Sequence, residues 1–209
     1  MESAECNPTH SGQRAAPGQV LTRFQAMGEA PFIVLQAPLG DSLKWLSFRD
    51  PVATLLADES SEVLPLLREI DSATERGLWA AGFLSYEAAP AFDAAMRVRA
   101  AGDLPLAWFG LFEKPEFVEL PTESLPSSRL PGQWEPTVSE SDYQRAIESI
   151  HRAISRGDTY QINYTFSLEA PFEGDARSLF GALVRGQQSR CCAFVDIGRW
   201  ALCSARSEE

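Results

Sequence analysis

Apolar and polar positions alternate without a break from Tyr160 to Leu168. Tyr160, Ile162, Tyr164, Phe166 and Leu168 take one phase, while Gln161, Asn163, Thr165 and Ser167 take the other. A period of two, rich in aromatic and β-branched residues, predicts a strand with one apolar face. The opposite face carries amides and hydroxyls but no charge, and it suits a polar cavity as well as open water.

The rest of the chain mixes both periods. Residues 1–30 show little periodicity and read as a poorly ordered lead-in, with one short strand around Gln19 to Phe24. Phe32 to Leu35 and Leu43 to Phe48 read as strands joined through Pro38, Gly40 and Asp41. Asp50-Pro51 has the form of a helix start, which predicts a short helix carrying Val52, Leu55 and Leu56. Val63, Leu66, Leu67 and Ile70 recur at helical spacing, with Pro65 near the start and Gly77 as the stop. Leu78 to Tyr86 and Pro105 to Phe112 read as strands, and Phe117 to Leu120 as a partner of the latter.

Four prolines between Pro121 and Pro136 mark a linker. Beyond it, Ser139 and Asp142 resemble a capping box before a helix with Tyr143, Ala146, Ile147, Ile150 and Ile154 on one face. Gly157 ends that helix, and the alternating strand follows. Asp175 caps a helix bearing Leu179, Phe180, Leu183 and Val184, and Cys192–Asp196 with Trp200–Ser204 forms a hairpin turning at Ile197-Gly198. The expected fold class is α+β, an antiparallel sheet core with outer helices. The expected division is a lead-in at 1–30, an α/β region at 31–120, a linker at 121–138 and a second region at 139–209.

Composition narrows the function. With 18 basic and 29 acidic residues the formal net charge is −11. General nucleic-acid binding and anionic-membrane binding both need a basic surface, so neither is expected. His10 and His151 are far apart, and Cys6, Cys191, Cys192 and Cys203 form no metal-ligand spacing. On a strand, Cys191 and Cys192 point to opposite faces as reduced thiols. The N-terminus has no signal-peptide pattern, and no apolar run approaches membrane-spanning length. A cytoplasmic location is expected.

A self-contained active site is not legible. There is no phosphate-binding loop, dinucleotide fingerprint or serine elbow. Glu87, beside Tyr86 at the end of an apolar strand, either caps the next turn, binds a group in the core or sits in solvent. Asp158 reads as a turn residue accepting from nearby backbone N–H groups. Tyr160, Gln161, Asn163 and Thr165 are the candidates for lining a site. Amides can hold a ligand's carboxylates and hydroxyls but do no acid–base work at neutral pH, so they form a wall rather than catalytic machinery.

The segment Gly157-Asp158-Thr159-Tyr160-Gln161-Ile162-Asn163-Tyr164-Thr165 resembles the Gly-Asp-x-Tyr-Gln-x-Asn segment of the chorismate-utilising enzymes. Gly82 to Ala88, Pro105 to Gly110 and Asp196 to Ala205 are similar to segments of one subfamily, component I of the aminodeoxychorismate synthases (para-aminobenzoate synthases). The resemblance implies conversion of chorismate and ammonia, with Mg2+, into 4-amino-4-deoxychorismate on the path to folate. A glutamine amidotransferase subunit supplies the ammonia, and some relatives carry a fused lyase domain. Residues 139–209 then begin the chorismate-binding domain, and the fold is the N-terminal portion of the family's.

The departures matter as much. The family's lysine nucleophile and its Mg2+-holding glutamates map to no residue here, so no catalytic residue and no bound metal are expected from this chain alone. Ser204-Ala205-Arg206-Ser207-Glu208-Glu209 diverges from the family's Ser-Ala-Ser-Pro-Glu-x-Phe. A fragment inactive by itself is expected, with a complementary C-terminal half as a partner. The Leu-Leu-Glu-Ser segment of the relatives' tryptophan pocket stands here as Val34-Leu35-Gln36-Ala37, without the carboxylate that meets an amino group. The alternatives are an anthranilate synthase component I-like enzyme and a non-catalytic remnant that binds an amidotransferase subunit.

Overall fold

A computed structural model of the chain describes residues 31–39, 42–100, 102–119, 133–187 and 191–206. The strand expected at Gln19 to Phe24 and the turn residues Gly40 and Asp41 lie outside them. The fold is α+β, and every strand pairing is antiparallel. The chain divides into two compact units, the first formed by residues up to 120 and from 187 onward, the second by 121–186.

The first unit is built on two sheets. One runs β10 (Ala201–Arg206), β9 (Cys191–Asp196), β1 (Phe32–Leu39), β2 (Ser42–Phe48) and β6 (Glu116–Val118). The other runs β3 (Ala53–Ala57), β5 (Ala107–Phe112) and β4 (Trp79–Leu84). Cross-strand partners share a face, as do residues two apart. The register Ile33↔Phe48, Leu35↔Leu46 and Ile33↔Val195 therefore gathers one face of the larger sheet. That face packs with Ala81, Trp108 and Phe112 from β4 and β5. Phe48 and Phe112 meet at a 5.1 Å ring separation.

Strand β5 is covered on both sides. Trp108 and Phe112 face the larger sheet, while Ala107 and Leu111 join Leu55, Ala57 and the apolar stripe of α1 (Ser60–Glu75). This double burial explains why β5 reads as a continuous apolar run. Gly82 of β4 stands opposite Phe109, and a Cβ at that position would lie 2.6 Å from Phe109 Cα. The close approach of β4 to β5 thus requires glycine there.

Helix α1 matches its expected stripe, and Gly77 closes it with φ +94°. Its first turn is tied by the Glu62 carboxylate, which accepts from the Asp58 and Glu59 N–H groups. A 3₁₀ turn at Tyr86–Ala91 follows β4.

Two expectations fail in this unit. Residues 52–56 form no helix: Ala53–Ala57 is a strand paired with β5, and Val52 N donates to the Leu111 carbonyl at 2.8 Å. Asp50 takes φ +51° instead of a capping geometry, and the chain turns there from one sheet to the other. A local start signal lost to long-range strand pairing. Phe117 does not pair back on β5 but joins β2 opposite Leu46.

The second unit holds α2 (Glu140–Ser155), α3 (Ala176–Gln187) and a two-stranded ladder of β7 (Glu135–Pro136) with β8 (Leu168–Glu169). Both helices start where expected. Ser139 Oγ accepts from Asp142 N at 3.1 Å and donates to the Asp142 carboxylate at 2.6 Å. Asp175 Oδ2 accepts from the Ser178 backbone and hydroxyl, each at 2.8 Å. The strand expected over Tyr160–Leu168 is a correction: only Leu168 belongs to a ladder, because β7 spans two residues and no other strand pairs with this segment among those described. Alternation prepares a strand, but a ladder also needs a partner of equal length.

Candidate functional site

The candidate wall begins at the end of α2. Gly157, at φ +78°, turns the chain out of the helix, with Gly157 N donating to Ile154 O and Asp158 N to Ala153 O, each at 3.0 Å. Only a residue that tolerates the left-handed region closes a helix in this way. The Asp158 carboxylate does not take the expected backbone N–H groups. It accepts from Arg156 Nε at 3.0 Å and Nη2 at 2.7 Å, so an ion pair braces the turn.

Beyond the turn, Thr159 Oγ1 donates to the Gln161 carbonyl at 3.0 Å. Tyr164 and Phe166, two residues apart, both reach Tyr143 of α2 at ring separations of 5.9 Å. Their common target shows that the period-two phase holds locally, although the backbone forms no ladder there. The segment is tied at its far end by Thr137, whose N and Oγ1 both donate to the Ser167 carbonyl, at 2.9 and 3.1 Å.

The four expected site residues lie open. Tyr160 is 96% exposed, and Gln161, Asn163 and Thr165 are exposed beside it. None of their side chains makes a hydrogen bond among the described residues. The structure thus places three uncharged polar groups at alternating positions along one uncharged stretch. Among the described residues, no side chain of another element forms a hydrogen bond with them. Glu87 is half-buried and makes no side-chain hydrogen bond or ion pair among the described residues, so it does not cap the turn.

Two carboxyls near these elements are held below their ordinary value. For Asp142 the Ser139 hydrogen bond is the main cause, with the Arg145 guanidinium adding to it. For Asp175 burial pushes upward, but the hydrogen bonds from the Ser178 side chain and backbone outweigh it. Asp142 lies in the first turn of α2, bonded to its Ser139 cap, and Asp175 caps α3. Among the described residues, no three His, Cys, Asp or Glu side chains come together to hold a metal ion.

Sequence reasoning missed three buried polar atoms that have no hydrogen-bond partner among the described residues: Gln36 Oε1, Ser47 Oγ and Ser85 Oγ. The register puts Val34, Gln36, Trp45 and Ser47 on the face of the larger sheet turned away from β5. Ser47 shares its face of β2 with Leu43 and Trp45, and it is 1% exposed. Only three-dimensional burial could have revealed it. Cys191 is exposed and Cys192 buried, as opposite faces of β9 require.

A family model for chorismate binding enzymes matches residues 31–209. The chain belongs to this family. No curated protein and no solved structure matches the chain. The match takes in both units and includes every element described above. Membership makes chorismate the substrate class and an enzyme the class of protein. No helix among the described residues is long and apolar enough to cross a membrane.

Proposed function

We propose that the chain is the N-terminal portion of component I of an aminodeoxychorismate synthase, acting in para-aminobenzoate and folate biosynthesis in the cytoplasm. The observation that carries this reading is the Gly157–Thr165 segment inside a family match spanning residues 31–209. The subfamily-like segments Gly82–Ala88, Pro105–Gly110 and Asp196–Ala205 favour it over an anthranilate synthase component I. In this reading Tyr160, Gln161, Asn163 and Thr165 line the chorismate site. Amide N–H groups of Gln161 and Asn163 donate to carboxylate or hydroxyl oxygens of the substrate, and the Thr165 hydroxyl donates or accepts. These groups orient the substrate and transfer no proton. The described residues do not fit a Mg2+ site, and no step is assigned to a metal. A glutamine amidotransferase subunit supplies the ammonia, and the groups that perform the chemistry come from a complementary C-terminal half.

The test is chorismate turnover with ammonia and Mg2+, read with an aminodeoxychorismate lyase as para-aminobenzoate and separately as anthranilate. The chain is assayed alone and mixed with the C-terminal half of a family member. Para-aminobenzoate only on mixing is the expected result. Anthranilate would transfer the chain to the other subfamily. No product in either arm would leave a non-catalytic remnant, for which amidotransferase binding is the property to measure.

A further inference from the structure

We infer that Tyr143 of α2 is a positioning residue of the chorismate site, which fixes the direction in which Gln161, Asn163 and Thr165 face. The inference rests on the functional reading that these side chains line that site. Among the described residues, the hydrogen bonds and ring contacts between residues 160–167 and other elements are few. They are the two Thr137 bonds to the Ser167 carbonyl and one cluster of three rings. Tyr143 stands 5.9 Å from both Tyr164 and Phe166, which lie 6.3 Å from each other. Tyr164 is half-buried, while every other residue from Gln161 to Glu169 is exposed, so the segment is covered at the cluster.

Backbone bonds and side chains decide different things here. In an extended segment the N–H and C=O groups point to the edges and the side chains to the faces. The Thr137 bonds hold an edge, as would a ladder strand from a complementary half, and neither selects a face. The face is chosen by what the side chains pack on. With Tyr164 and Phe166 held against Tyr143, the residues of the other phase, Asn163 and Thr165, turn from α2, and both are exposed. A shift of one residue would drive the amides against the Tyr143 ring and the rings into water. Tyr143 is itself fixed. It lies in the first turn of α2, where its N–H donates to the Ser139 carbonyl at 2.9 Å, beside the Ser139–Asp142 cap. Its ring meets that of Phe166 edge-on at 73°, a favoured aromatic geometry. The Tyr143 hydroxyl makes no hydrogen bond among the described residues, so the ring is the working part.

The experiment is the chorismate assay of the full chain mixed with the C-terminal half of a family member, read as separate KM and kcat. Gln161 and Asn163 bind and transfer no proton, so misdirecting them should act on KM. Tyr143→Ala should raise KM for chorismate about three- to tenfold and leave kcat within about twofold. Tyr143→Phe keeps the ring and should keep the parental KM. Ile150→Ala weakens the same helix about two turns further on and should also keep it. A parental KM in an active Tyr143→Ala mixture would overturn the inference and leave the functional reading standing. So would an equal rise in Tyr143→Phe, which would make the hydroxyl the acting group, or in Ile150→Ala, which would mean a general loss of the helix. No product from the parental mixture would strike the functional reading itself, and the inference would fall with it.

Discussion

Helices α1 and α2 are each 16 residues long and each is tied at its first turn, yet α1 buries Val63, Leu66 and Ala73 while α2 buries no residue. Their sequences do not foretell this. The stripe of α2 (Ala146, Ile147, Ile150 and Ile154) is at least as regular as that of α1, and α2 is not interrupted by a proline as α1 is at Pro65. The difference lies in what each stripe meets. Helix α1 lies on a three-stranded sheet whose Leu55, Ala57, Ala107 and Leu111 fill its groove. Helix α2 meets the rings of Tyr164 and Phe166 through Tyr143. An amphipathic stripe records readiness to be covered, and the cover is a separate fact.

The largest effect expected from this contrast is in side-chain truncation. Leu66→Ala should cost about 2–5 kcal/mol in denaturant unfolding, because Leu66 is wholly buried and its loss leaves a cavity. Ile150→Ala, on the half-buried stripe of α2, should cost about 1 kcal/mol. Equal costs would mean that α2 is covered in solution to the same degree as α1.

Next comes the α2 cap. Ser139→Ala should cost about 1 kcal/mol of helix stability by circular dichroism. The Asp142 carboxyl is lowered from 3.8 in the fold, so it binds protons less readily there than in the unfolded chain. Its contribution is complete above that ordinary value and is lost as pH falls below it toward the lower folded value. Helicity of α2 should therefore decline on acidification below about pH 4. Asp142→Asn should remove that acid-dependent part, and an unchanged acid profile in the variant would remove Asp142 from the account.

The smallest effect has the opposite sign. Ser47→Ala deletes a buried hydroxyl that has no partner among the described residues, and it should leave stability unchanged or raise it by up to about 1 kcal/mol in the same unfolding measurement. A loss would show that Ser47 Oγ is engaged in solution.

The sequence was most legible where signals are local. Ser139, Asp175, Gly77 and Gly157 mark their helix ends because a cap or a positive φ is a property of a few neighbouring residues. Gly198 likewise marks its hairpin. It was least legible where a distant partner decides. Asp50-Pro51 resembles a helix start, but β5 claims the next residues as a strand. Tyr160–Leu168 has the strongest strand pattern in the chain, yet no described strand matches its length. The candidate wall was readable as chemistry, in uncharged amides and hydroxyls at alternate positions. The unpartnered Ser47 was not, because burial of a serine flanked by Leu46 and Phe48 depends on what covers the outer face of its sheet.

The pairing of β9 with β1, from Phe32↔Asp196 to Leu35↔Ala193, makes the order of synthesis matter. At ordinary translation rates β1 leaves the ribosome roughly 10–30 s before β9 exists. Hairpin pairing with β2 takes microseconds, so one edge of β1 closes almost at once and the other waits. For that interval Phe32, Ile33, Val34 and Leu35 present an open, apolar edge to any neighbouring nascent chain. The position of β9 between β10 and β1 thus turns a feature of topology into a demand on timing, and a slow ribosome lengthens the exposure in direct proportion.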